Sequence, residues 1–263
     1  MRPETEAAIR AAGIAQRIAD SRDGADQVTS KGGIDLVTAT DVACEDAIRA
    51  ELTCAFPAYS VIGEERGGTA SPGTPYWLVD PICGTRPFAS NVPLYCTNIA
   101  LVEHGAVTVA AVGVGTTGEI MYAEEGLGAW MRTAAGDRRI TPGEHSHTVW
   151  ISGTTEHAAA VVRRALVLHR WYIWLFSSSV SYAYLAAGRI SGILHFGSSS
   201  PVHTAAGCFV AAEAGAVVTD LAEGGPWSIE TRSFLLAATP ALHRELRDLV
   251  ERSREPNSAS EGG

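Results

Sequence analysis

The order of apolar patterns along the chain constrains its fold more than any other sequence feature. Helical periodicity comes first, at residues 4–20 and again from about residue 41 to 56. Short β-like runs follow between residues 59 and 124, and strands alternate with helices from residue 148 onward. Because each element buries its apolar side against another, this order predicts an α/β protein with two halves that share a cleft.

The two halves are expected to differ in their make-up. Residues 1–147 are expected to form an N-terminal α+β half, and residues 148–252 a C-terminal α/β half, within one compact unit. The polar, glycine-containing segment 21–35 is expected to be a loop. The final residues 253–263, SREPNSASEGG, have the composition of a disordered tail.

Composition and charge argue against several classes of function. Of the 263 residues, 46% are hydrophobic, which is enough for a sizeable core, and the net charge of −9 argues against nucleic-acid binding. No apolar stretch is long enough to span a membrane, and the charged N-terminus does not resemble a signal peptide. The five cysteines, an odd number without a Cys-x-x-Cys motif, indicate a reduced, cytoplasmic protein.

Polar residues interrupt the apolar runs at three places. Glu64 and Glu65 close the strand YSVIG, and Asp80 ends a strand before the turn PICGT. His203 stands at the start of a helix rich in small residues. Since α/β proteins place reactive groups at strand ends and helix starts, these residues predict an active site.

Four segments carry a resemblance to a known family. KGGIDLVTATD, VIGEE, WLVDPICGT and HTAAGCFVAAEAGA resemble, in this order, motifs of the inositol monophosphatase family. The resemblance extends over roughly residues 5–250. It implies an α/β layered sandwich with alternating helix and sheet layers. It also implies Mg²⁺-dependent cleavage of a small-molecule phosphate monoester, and a homodimer.

The resemblance also implies roles for individual residues. Glu64 and Asp80 match metal-binding carboxylates, and the backbone carbonyl of Ile82 would be a further ligand. Thr85 matches the threonine that helps to orient the attacking water. The supporting residues that it implies are Lys31, Asp41 and Glu65.

Two positions depart from the family's pattern, and both would bind the same metal ion. Cys83 replaces the second aspartate of DPIDGT, and His203 replaces the aspartate of WDxAAG. Thiolate and imidazole suit Zn²⁺ or Fe²⁺ better than Mg²⁺. The cofactor prediction therefore stays open between no metal and one Mg²⁺, Zn²⁺ or Mn²⁺ ion.

The segments that correspond to the family's substrate side have also changed. Where members of the family often carry polyol-binding carboxylates, this chain has Ser191 and either His195 or Phe196. An aromatic segment precedes this region. An aromatic pocket with few polar groups favours a flatter organic ligand than a sugar phosphate. The predicted substrate-binding residues are Trp174, Phe176, His195 and Phe196.

Three functions are compatible with these residues. The first is a non-phosphatase enzyme, such as one of bacterial specialised metabolism, in which Cys83 and His203 act as nucleophile or acid–base pair. Asp80 would orient this pair in acyl transfer, cyclisation or elimination. The second is a metal-dependent phosphomonoesterase with a rewired metal site, and the third is an inactive binding or regulatory protein. In each case the expected partner is a small molecule, without nucleic acid or membrane.

Overall fold

The computed structural model describes residues 1–32, 35–115, 117–176, 178–197 and 199–254. The helices of this part are α1 (Pro3–Ser21), α2 (Ala39–Ala55), α3 (Thr85–Ala89), α4 (Glu156–Leu168), α5 (Val180–Ala186), α6 (Pro201–Ala214) and α7 (Pro240–Arg252). Its first strands are β1 (Val28–Gly32), β2 (Asp35–Thr38), β3 (Ser60–Gly63), β4 (Tyr76–Cys83), β5 (Cys96–Glu103), β6 (Ala106–Val114), β7 (Glu119–Glu124), β8 (Ala129–Thr133) and β9 (Gly136–Arg139). The later strands are β10 (Thr148–Ser152), β11 (Tyr172–Trp174), β12 (Gly192–His195), β13 (Val217–Asp220) and β14 (Phe234–Ala237).

The larger sheet runs in sequence order from β3 to β9. Its first pair, β3 and β4, is parallel, and the following pairs are antiparallel. Helices α1 and α2 pack on one face of this sheet. The buried side of α1 carries mostly alanine, which lets its backbone approach strands β5 and β6 closely.

The smaller sheet has the strand order β11, β10, β12, β14 and β13. Helices α5 and α6 pack between the two sheets, and α4 and α7 cover the far face of the smaller one. Helix α6 is buried almost all around, and a Cβ atom at its Gly207 would lie 2.5 Å from the side chain of Tyr182. The layers therefore alternate between helix and sheet, which confirms the predicted α/β layered sandwich.

Some local predictions differ from the structure. The segment 21–35, predicted as a loop, contains β1, which pairs with β2 in an antiparallel hairpin. Because β1 is exposed along its whole length, its sequence lacks the apolar alternation that predicts a strand. From residue 255 onward the predicted tail lies outside the described residues. The division into two halves and the homodimer stay predictions.

Candidate active site

Three side chains from two distant parts of the sequence converge where β4 meets α6. Asp80 is fully buried on β4, Cys83 ends the same strand, and His203 lies in the first turn of α6. One ligand atom from each lies within 4.8 Å of the other two. The Nδ1 atom of His203 is 2.7 Å from Oδ2 of Asp80 and 3.8 Å from Oε2 of Glu64. The packing of α6 against β4 therefore joins the two motifs into one site.

Glu64 reaches the same site because β3 runs parallel to β4. Its backbone N–H donates a 3.0 Å hydrogen bond to the carbonyl of Val79, next to Asp80. The Nζ atom of Lys31 lies 3.1 Å from Oε1 of Glu64 and 2.7 Å from Oε1 of Glu65. Burial and the nearby Asp80 charge raise the pKa of Glu64 to about 8. The hairpin β1–β2 thus supplies a cation to the acidic site.

A hydrogen-bonded chain connects α2 to the turn after β4. Asp41 closes a capping box with Thr38 at the start of α2. The hydroxyl of Thr85 lies 3.0 Å from Oδ1 of Asp41 and 3.2 Å from the carbonyl oxygen of Ile82. Burial raises the pKa of Asp41. This arrangement fixes the position of the Thr85 hydroxyl beside the Ile82 carbonyl.

The protonation states of Cys83 and His203 follow from their surroundings. The Cys96 thiol, burial and the Asp80 charge raise the pKa of the Cys83 thiol well above its ordinary value. Burial disfavours the charged form of His203, but hydrogen bonds with Asp80 and Cys83 outweigh it and raise its pKa to about 12. A Cys–His nucleophile depends on a lowered thiol pKa. The raised pKa of the thiol runs against the predicted nucleophilic role of Cys83, which stays a prediction.

The donor set decides which cation the site suits. Oδ1 of Asp80 is buried and has no hydrogen-bond partner among the described residues, as a ligand oxygen would before an ion binds. Carboxylate oxygens of Glu64 and Asp80 with the Ile82 carbonyl suit a hard ion, whereas Cys83 and His203 do not. The set as a whole does not fit an all-oxygen Mg²⁺ site. It fits a borderline divalent ion such as Zn²⁺.

The converging residues line a cleft of about 700 Å³. Of the predicted substrate-binding residues, Phe176 and His195 line this cleft. The Nδ1 atom of His195 lies 2.8 Å from the hydroxyl of Ser152, and burial lowers the pKa of His195 to about 4. The imidazole at this position is therefore neutral at physiological pH.

The structure places Trp174 and Phe196 outside the cleft lining. Trp174 stacks on Tyr184 of α5, with 6.4 Å between ring centroids. Phe196 packs edge-on against His157 of α4, at 5.1 Å between centroids. Because consecutive residues of an extended chain point to opposite faces of a sheet, His195 faces the cleft and Phe196 faces α4.

Glu45 is a site residue that the sequence reasoning missed. Its fully buried carboxylate accepts hydrogen bonds from the backbone N–H of Glu65 at 2.6 Å and of Arg66 at 3.0 Å. The side chain of Arg49 donates a third at 2.8 Å. A Cβ atom at Gly63 would lie 2.0 Å from this carboxylate. Glu45 therefore holds the turn that carries Glu64.

A signal for Glu45 was present in the sequence. Asp41, Glu45, Ile48 and Leu52 are spaced by four, three and four residues, so they fall on one side of α2. A carboxylate within an otherwise buried stripe requires a specific partner, because an unpaired buried charge is costly. The sequence does not show that the partner is the backbone of residues 65 and 66.

A second group of residues outside the predicted site contacts Cys83 directly or through Ser179. The backbone N–H of Ser179 donates to the Cys83 sulfur at 3.4 Å, and the Ser178 hydroxyl donates to its carbonyl at 3.0 Å. The Asn98 amide donates to the Ser179 hydroxyl at 2.7 Å. These bonds fix both the backbone and the sulfur of Cys83 from the C-terminal half of the chain.

Fold and site together define a class of protein. It is a layered α/β chain in which carboxylates, a cysteine and a histidine meet between the ends of strands and the start of a helix. The sequence model of the "Inositol monophosphatase family" matches residues 1–255. The chain therefore belongs to the inositol monophosphatase family, as the resemblance implied.

Individual relatives agree with this assignment. An inositol-1-monophosphatase of Rhizobium meliloti is 32% identical over 237 residues, which is 86% of each chain. The Nus factor SuhB of Vibrio cholerae is 31% identical over 99% of each chain. The solved structure of an inositol monophosphatase from Thermotoga maritima superposes with a TM-score of 0.84 at 26% identity, covering 96% of this chain and 98% of that one. Within the described residues, helices are too short or too polar to cross a membrane.

Proposed function

We propose that this chain hydrolyses a phosphate monoester of a small molecule, with a borderline divalent ion such as Zn²⁺ at Asp80, Cys83 and His203. One observation carries the proposal. Ligand atoms of three different chemical types lie within 4.8 Å of one another at the position where the family binds metal. Family membership supports phosphate monoester hydrolysis over acyl transfer, cyclisation or elimination.

The residues of the site would have separate roles in this reaction. Asp80, Cys83 and His203 would hold the ion, which lowers the pKa of a bound water and polarises the phosphoryl group when present. Thr85, fixed by Asp41, would orient the attacking water as the resemblance implies. Glu64, whose Oε2 lies 3.8 Å from Nδ1 of His203, would add an oxygen ligand.

Purification of the full chain without chelator, followed by metal analysis, tests the ion. A Co²⁺-loaded sample should show a thiolate-to-cobalt charge-transfer band that disappears in Cys83→Ser but remains in Cys54→Ser, a change at an exposed cysteine. Phosphate release from inositol 1-phosphate and p-nitrophenyl phosphate should be faster with Zn²⁺ than with Mg²⁺.

The double variant Cys83→Asp, His203→Asp tests whether the two replaced residues set the metal preference. Carboxylates at both positions restore the all-oxygen ligand set, so activity should shift toward Mg²⁺. His145→Asp, a change at an exposed histidine, should leave the preference unchanged. If the chain neither binds a divalent ion nor releases phosphate, the inactive binding or regulatory protein is favoured. Such a protein needs no ion at this site, because Lys31 and His203 already neutralise the carboxylates of Glu64 and Asp80.

A further inference from the structure

Apolar side chains from separate segments line the cleft around the candidate metal centre. Trp150 comes from β10, Leu175 and Phe176 follow β11, and Pro87 and Val92 come from α3 and the loop after it. Binding sites for small molecules with apolar parts combine such walls with few polar groups. A phosphate alone occupies a small part of a cleft of about 700 Å³.

Two of these apolar residues are exposed although large. Leu175 is 60% exposed and Phe176 is 44% exposed, and both lie at the cleft. The indole N–H of Trp150 donates a hydrogen bond to the Phe176 carbonyl, and Trp150 itself packs edge-on against Tyr182. The main chain at Phe176 is thus hydrogen-bonded to β10 of the smaller sheet. An exposed apolar cluster in a fixed position at a cleft indicates a surface that a ligand covers.

Groups that would bind the hydroxyls of a polyol are scarce in the cleft. Among its described lining residues, the only carboxylates are Glu64 and Asp80, and both belong to the candidate metal centre. Of the five serines in this lining, three are already hydrogen-bonded within the protein: Ser152 to His195, Ser178 to the Cys83 carbonyl and Ser179 to Asn98. That leaves Ser90 and Ser199, so a polyol with several hydroxyls would lose more hydrogen bonds to water than these two side chains replace. Arg86, exposed at the cleft, suits the phosphate rather than the alcohol.

We propose that the substrate is a phosphate monoester of an apolar alcohol, aromatic or branched, whose apolar part contacts Phe176 and Leu175. This inference rests on the proposed function, since it names the substrate class of the same site. The ester bond is cleaved by water, so the products are the free alcohol and inorganic phosphate. Specificity arises because burying the alcohol against the apolar wall is favourable, whereas burying a polyol there is not.

The test compares 2-phenylethyl phosphate with inositol 1-phosphate and glycerol 2-phosphate, using the full chain loaded with its preferred ion. All three have alkyl leaving groups, so differences in kcat/KM report binding of the alcohol rather than the reactivity of the ester. The variants are Phe176→Ala, the milder Phe176→Leu, and Tyr172→Ala. Tyr172 is the matched control, because it is an aromatic residue of the same segment, 74% exposed and outside the cleft lining.

We expect kcat/KM for 2-phenylethyl phosphate to exceed that for inositol 1-phosphate by at least about tenfold, the range of one apolar group in a pocket. Phe176→Ala should lower kcat/KM for 2-phenylethyl phosphate about tenfold through KM, and lower that for glycerol 2-phosphate by a smaller factor. Phe176→Leu should restore part of the loss, and Tyr172→Ala should have no effect. A preference for the polyol ester, or an equal loss for all esters in Phe176→Ala, would overturn the substrate class alone. Absence of phosphate release from all three esters would overturn the proposed function and the substrate with it.

Discussion

Replacing the buried Glu45 by Gln perturbs the turn that carries Glu64 while nearly preserving side-chain shape. The carboxylate of Glu45 accepts hydrogen bonds from two backbone N–H groups and from Arg49. A glutamine amide has one accepting oxygen, so its NH₂ group must face a donor that the carboxylate now satisfies. A remaining bond from a backbone N–H also changes from a charge-assisted to a neutral one, and the Arg49 guanidinium loses its ion pair.

The expected loss of stability follows from these contacts. A hydrogen bond to a charged group contributes about 1.5–3 kcal/mol against about 1 kcal/mol for a neutral one, and an unsatisfied buried donor costs about 1–3 kcal/mol. We therefore expect Glu45→Gln to lower the free energy of unfolding by about 3 kcal/mol. For a urea m-value of about 3 kcal/mol/M, the midpoint falls by about 1 M.

Urea unfolding followed by tryptophan fluorescence measures this midpoint, and calorimetric titration with Zn²⁺ measures the effect on the site. The matched control is Glu51→Gln on the same helix, whose ion pair with the half-exposed Arg10 should contribute at most about 1 kcal/mol. Zn²⁺ affinity should fall in Glu45→Gln and stay unchanged in Glu51→Gln. Equal urea midpoints for the two variants would refute the reasoning that Glu45 holds the turn.

Three further predictions follow from the pKa shifts. Iodoacetamide should modify Cys83 more slowly at pH 8 than the exposed Cys54, because the raised pKa of Cys83 leaves less thiolate. Peptide mass spectrometry gives both rates, and equal rates would contradict this prediction. Zn²⁺ affinity should rise with pH and binding should release protons, because the raised pKa values of His203 and Cys83 keep both protonated at pH 7 without metal. Calorimetry in buffers of different ionisation enthalpy counts the protons, and a count of zero would refute this prediction. The free energy of unfolding should fall as pH drops from 6.5 to about 4, because in this range the buried His195 of the folded chain binds fewer protons than the same residue in the unfolded chain. The effect is at most about 3 kcal/mol. In His195→Asn, the free energy of unfolding should change less with pH over this window.

The fold could be predicted from the sequence because its signals are local or ordered along the chain. The apolar faces of α1 and α2 repeat with helical spacing, and the motifs around Glu64, Asp80 and His203 occur in the family's order. The hairpin β1–β2 could not be predicted in this way. Its first strand is exposed on both sides, so burial leaves no pattern in its sequence.

Predictions about the site itself depended on contacts that no local pattern specifies. The family motif placed Cys83 near His203, but the register of β4 and β5 also places Cys83 directly across from Cys96. This neighbour and the burial around it raise the pKa of the thiol, opposite to the direction that a nucleophile requires. A pKa depends on the groups that surround a side chain in space, so sequence spacing could suggest the pair without giving its protonation state.

The two departures from the family's pattern change the charge of the centre as well as its ligand types. With aspartates at both positions, a metal-free centre would gather several negative charges and attract any divalent ion. Here Lys31 pairs with Glu64 and a protonated His203 pairs with Asp80, so the carboxylates are neutralised before an ion arrives. An incoming ion must displace protons from the imidazole and from the Cys83 thiol, and only strong bonds to nitrogen and sulfur offset that cost. Proton competition and ligand preference therefore act in the same direction, and both disfavour Mg²⁺.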